Sequence, residues 1–202
     1  MKLVFIYQIG SFLSDLIFSI LTGLKSSKAH ISWDFFTIFA ICLFAYLFYR
    51  ILSNKIFKTI VLVISSLLCI YSIYYLVFNL VNPTNKGFDS LMVAFEGISV
   101  IIYSILYFFE QLTKPTKSNQ LFIYNTPTFW IVIAFLLFFS GTFFLLIYIY
   151  FQKINIDTDI YFKTQYAIII SIFTLIENIL LGIAMFSNNK MEVNTSSRQQ
   201  TY

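Results

Sequence analysis

Six apolar runs, at about 3 to 24, 33 to 52, 56 to 81, 89 to 112, 127 to 151 and 160 to 186, alternate along the chain with short polar connections. Each reaches the roughly 20 residues that an α-helix needs to cross about 30 Å of hydrocarbon. Residues 123 to 151 hold no charged residue at all. Barrel strands would alternate polar and apolar positions over segments of about 10 residues, and these runs do not alternate. Inside a bilayer every backbone N–H and C=O must find an internal partner, so unbroken runs predict helices. The pattern therefore predicts an all-α fold: residues 1–186 form a polytopic transmembrane helix bundle of six spans, with no soluble domain. Residues 187–202, rich in Asn, Ser, Thr and Gln, read as a polar C-terminal tail that cannot build a core.

The connections carry the expected punctuation. Pro83 and Pro115 lack an N–H and disfavour helical geometry in the residue before them, so each is predicted to stop a helix. Pro127, with Asn125 or Thr126 as cap, belongs in the first turn of its helix, where the missing N–H is no loss. Asp15 interrupts the first run, and no small-x-small cleavage site follows near Ser26 to His30, so that run is predicted to stay as a span.

Composition agrees with this pattern. The chain is 59% hydrophobic, 20% aromatic and 11% charged, whereas soluble domains carry about 25% charged residues. The net charge of +4 is spread over the connections, with no cluster that would suit DNA or RNA. With the N-terminus inside, eight Lys and Arg fall on the inner side and five on the outer side. That count predicts that both termini are cytoplasmic, and Arg50, Lys55 and Lys58 make the strongest inward signal. Trp33 and Trp130 stand at starts of spans, where headgroup-level aromatics are favoured. Cys42 and Cys69 fall inside apolar runs and are read as small hydrophobes, not as a disulfide framework.

Candidate chemistry rests on polar groups within the runs. A carboxylate at the bilayer centre costs about 2.5 to 3.5 kcal/mol on insertion scales, which marks Asp15, Glu96 and Glu177 as candidate ligand- or cation-binding groups. Helical spacing puts Gln8 and Ser11 on the face of Asp15, and Ser99 and Tyr103 on the stripe of Glu96; Asn178 adjoins Glu177. No Lys or Arg lies at similar depth, so these acids are expected to be protonated, hydrogen-bonded, hydrated or paired with a bound species. In the simplest reading, each is a neutral acid that ties helices together. Ser140, Gly141 and Thr142 form a small-residue notch for close approach of another helix, or for a bend. His30 and Asp34 are four apart, far short of the three or four ligands of a zinc site, so no metal is predicted.

Phosphate-loop, nucleophile-elbow and zincin motifs are absent, and one His leaves little for acid/base catalysis. The Asn194-Thr-Ser196 sequon falls in the tail assigned to the cytoplasm. No enzyme activity and no cofactor are expected.

Three stretches carry a resemblance: SDLIFSILTGL in the first span, TIFAICLFAYLFYR at 37 to 50, and NTPTFWIVIAFLLFFSGTFFLL at 125 to 146. They resemble a family of small, uncharacterised polytopic inner-membrane proteins of Bacteroidota-like bacteria, most specifically through Pro127, Phe129, Trp130, Ser140 and Gly141. Members look like seven-span proteins, so the resemblance admits a seventh crossing where this chain shows six. They also lead one to expect an acid in the second span, where this chain has Ala40. The resemblance implies a helical inner-membrane protein beside sensory signalling and assigns no catalytic residue. The functional expectation is a non-enzymatic sensing or accessory module that acts through a membrane partner or as a homo-oligomer, with the lipid bilayer around it. The alternative is a small proton, cation or solute transporter or channel using the intramembrane carboxylates. A lipid-acting enzyme comes third.

Overall fold

The computed structural model describes residues 2–24, 31–81, 90–113, 126–152 and 160–199. Among them are six α-helices and no strand: α1 (Lys2–Gly23), α2 (Ile31–Ile51), α3 (Lys55–Val81), α4 (Ser90–Thr113), α5 (Pro127–Gln152) and α6 (Ile160–Gln199). All six are long and apolar enough to cross a membrane, so the chain is a membrane protein with an all-helical fold.

The helix ends follow local chemistry. α3 stops at Val81 and α4 at Thr113, each two residues before a proline, as the conformational restriction ahead of proline requires. α5 opens with Pro127 in its first position, and the Phe129 amide bonds the Thr126 carbonyl at 3.1 Å, so Thr126 holds the cap position. Asn54 caps α3, its side-chain oxygen accepting from the Ile56 amide at 2.9 Å. Residues 82–89 and 114–125, which include Pro83, Pro115 and Asn125, and residues 25–30, which include His30, lie outside the described residues. α6 is 40 residues long, yet its membrane-compatible part is Thr164–Ser187. Its backbone therefore stays helical beyond residue 187, where the apolar pattern ends.

α5 packs between α4 and α6, while α2 packs against α1, α3 and α4. Half of the α2 and α4 spans (50% each) is buried, against 17% of α1 and α6, so these last two flank the bundle. Oil does not drive helices together within oil, so association has to come from close packing and interhelical hydrogen bonds. Here aromatic rings do most of the packing. Phe44 of α2 lies 5.0 Å from Phe135 and 5.4 Å from Phe139 of α5, ring edge to ring face. Tyr7 of α1 joins the same cluster at 5.0 Å from Phe44 and 5.5 Å from Phe135. Ala40 is fully buried in α2.

The small-residue notch on α5 is a packing device. A Cβ built on Gly141 would run into the Phe173 ring of α6, so the absent side chain is what lets that ring lie on the α5 backbone. Thr142 returns its hydroxyl to the Phe138 carbonyl at 2.9 Å and Ser140 to Leu137 at 3.3 Å, within their own helix. Gly10 of α1 makes a milder approach of the same kind to Phe36 and Phe39 of α2.

Candidate functional site

One turn beyond Phe173, the face of α6 that meets α5 carries Glu177, followed by Leu181 and Ala184, all three buried. The close approach at Gly141 therefore draws a carboxyl into the bundle. Glu177 is 3% exposed, and among the described residues its Oε1 is buried without a hydrogen-bond partner. That is unusual, because buried polar groups are satisfied in the great majority of cases. The Ser72 hydroxyl on α3 shares this condition.

Glu96 of α4 is the second buried acid, at 5% exposure. The two helices that bring it and Glu177 inward lie on opposite sides of α5. Tyr7 connects them: it is 7% exposed and lies within electrostatic reach of Glu177, Glu96 and Asp15. Asp15 itself is exposed on the surface of α1. The core face of α1 is Val4, Tyr7 and Ser14, so Asp15 lies one residue off it, and Gln8 and Ser11 are half-buried beside that face. Two of the three sequence candidates are thus buried and one is exposed, and all three bear electrostatically on Tyr7.

The other candidates fall elsewhere. Asn178 is exposed, a residue's turn away from Glu177 on α6. Ser99 donates its hydroxyl to the Glu96 backbone carbonyl at 2.7 Å, which occupies it within α4. The Tyr103 hydroxyl lies 2.7 Å from Ser65 Oγ on α3, donates to the Val61 carbonyl at 3.3 Å, and shares a side-chain hydrogen bond with Ser99. These contacts tie α4 to α3. Tyr103 and Ser99 therefore share a stripe with Glu96 but act as struts.

Sequence reasoning missed two residues. Glu110, near the C-terminal end of α4, is 4% exposed and accepts the Ser53 amide on both carboxylate oxygens at 3.0 Å. It was passed over because an acid near a span end is unremarkable by position, and its burial depends on the α2–α3 turn folding over it. Tyr7 was lost among 14 tyrosines. Its signal was available: with Val4 and Gly10 it marks the α1 face that steps by three residues toward α2.

The described residues hold no group of three or more His, Cys, Asp or Glu suited to a metal ion. A buried carboxyl in a packed apolar setting can hold a proton or a small cation. Comparison with protein families, with curated proteins and with solved structures returns no match.

Proposed function

We propose that this protein is a non-enzymatic membrane module whose state depends on occupancy of its two buried acids, Glu177 and Glu96, by a proton or a small cation. The observation that carries the reading is the orphaned Oε1 of Glu177 at 3% exposure. A bare carboxylate there would have no compensating charge, so a proton or a cation completes the site. Filling and emptying it alters the packing of α6 on α5. α6 is one of the two flanking helices and continues helically past its apolar part, so it is the natural route by which a change reaches a membrane partner. The distribution of basic residues supports an inner-membrane setting with cytoplasmic termini.

Infrared difference spectroscopy of protein in nanodiscs tests it directly. The expected result is a carboxyl band that responds to pH or to added sodium or potassium and is diminished in both Glu177→Gln and Glu96→Gln. Superimposable spectra from the wild type and the double variant would overturn the proposal. The second reading, transport, is favoured by Asp15, which extends the acids from the exposed edge of α1 to the core. It predicts proton or cation flux in liposomes that Glu177→Gln abolishes; a response in the infrared without flux leaves sensing as the function.

A further inference from the structure

The turn between α2 and α3 carries Arg50, Lys55 and Lys58, against one carboxylate, Glu110, which is turned inward onto the Ser53 amide. Positive charge is in excess around this turn among the described residues. Two of the cations are seated on tyrosine rings. The Arg50 guanidinium carbon lies 5.7 Å from the centre of the Tyr46 ring, and the Lys58 ammonium lies 4.9 Å from that of Tyr49. Both rings are also walls of a groove of about 360 Å³ between the two helices, lined farther along by Cys42, Leu62, Ser65 and Cys69. The lining positions step by three or four residues along each helix, so the groove follows the helix axes into the apolar zone.

Cations at one end and a mostly apolar groove of tyrosine, cysteine and aliphatic side chains leading away from them match the two parts of a phospholipid in their natural order. Tyr, Arg and Lys gather at headgroup level, and basic pockets between transmembrane helices hold anionic head groups. We propose that this groove binds an anionic phospholipid, with its phosphate between Arg50 and Lys58 and one acyl chain lying between α2 and α3. A zwitterionic lipid supplies the same chain without net charge, so the cations set the selectivity. Inorganic phosphate supplies the charge without the chain, so the groove sets the affinity.

Native mass spectrometry on delipidated protein, reconstituted with equal phosphatidylglycerol and phosphatidylcholine, tests both halves. The wild type is expected to retain phosphatidylglycerol over phosphatidylcholine by about 30-fold, which is about 2 kcal/mol for two basic contacts. Arg50→Gln with Lys58→Gln brings the ratio near parity, whereas Lys2→Gln leaves it unchanged. In a Cys69→Ala background, alkylating Cys42 with a bulky maleimide after purification fills the groove without asking the variant to fold. Retention then falls at least tenfold with both cations intact. Equal retention of the two lipids by the wild type would overturn the proposal. So would retention that survives loss of the cations or filling of the groove, displacement of the lipid by excess inorganic phosphate, or a second copy of the chain occupying this face in place of lipid.

Discussion

Replacing Glu177 by methionine is expected to make the bundle more stable. The two side chains are similar in length and volume, so the packing of α6 on α5 near Gly141 and Phe173 need not change. The difference lies in the carboxyl. A buried polar atom without a partner costs about 1 to 3 kcal/mol relative to the same space filled by an apolar group. The larger insertion cost of an acid, about 2.5 to 3.5 kcal/mol, mostly cancels, since the unfolded helices remain in the bilayer and pay it too. Unfolding measured by steric trapping in bicelles should therefore show Glu177→Met about 1 to 3 kcal/mol more stable than wild type, while the cation- or pH-dependent carboxyl signal is lost.

Glu177→Ala serves as the internal contrast. It also removes the orphan oxygen but leaves a void against α5, and the lost packing offsets the gain. The alanine variant should fall below the methionine variant. If Glu177→Met is instead less stable than wild type, the carboxyl is making contacts that hold the helices together, and the argument for a binding role collapses to the simplest reading of an acid in a membrane.

Other consequences can be measured in the same system. Gly141→Ala should destabilise by about 1 to 3 kcal/mol by overpacking against Phe173, and pairing it with Phe173→Leu should recover part of that loss; additive effects in the double-mutant cycle would contradict the observed approach of α6. Tyr103→Phe should cost about 0.6 to 1.7 kcal/mol, the range for interhelical hydrogen bonds in lipid, and leave the carboxyl signal untouched. Glu110→Ala removes the hydrogen bonds that the buried carboxyl accepts from the Ser53 amide and should cost about 1.5 to 3 kcal/mol, the range for hydrogen bonds to a charged group, with faster hydrogen exchange at Ser53. The sulfurs of Cys42 and Cys69 lie 3.6 Å apart, so mild oxidation should cross-link α2 to α3 within one chain; thiols that stay separately reactive would refute that register.

Much of the fold could be read from the residues because the solvent dictates it. An apolar run of about 20 residues has few alternatives in a bilayer, and Pro127 with Thr126 marked the start of α5 by the chemistry of proline alone. The site was half legible. Cost in hydrocarbon singled out Glu96 and Glu177, and both prove buried. The same rule singled out Asp15, which is exposed, because a helix of nearly uniform hydrophobicity gives little sign of which face turns inward. Which acids meet depends on the pairing order of the helices, and no local pattern encodes that. Cys42 and Cys69 show the same gap: 27 residues apart in sequence, they meet only because α2 and α3 align.

Glu110 and Glu177 differ in how their carboxyl oxygens are satisfied. They are comparably buried, at 4% and 3% exposure, and each sits where one helix is held against others. Glu110 has what a structural acid needs, a backbone amide at 3.0 Å from both of its oxygens. Glu177 has an oxygen with no such donor, though Thr174 lies three residues away on the same helix. An acid kept only to tie α6 to α5 would be expected to look like Glu110. An acid kept to bind and release something has to leave an acceptor open, and the Oε1 of Glu177 is such an acceptor, which is what the proposed role requires.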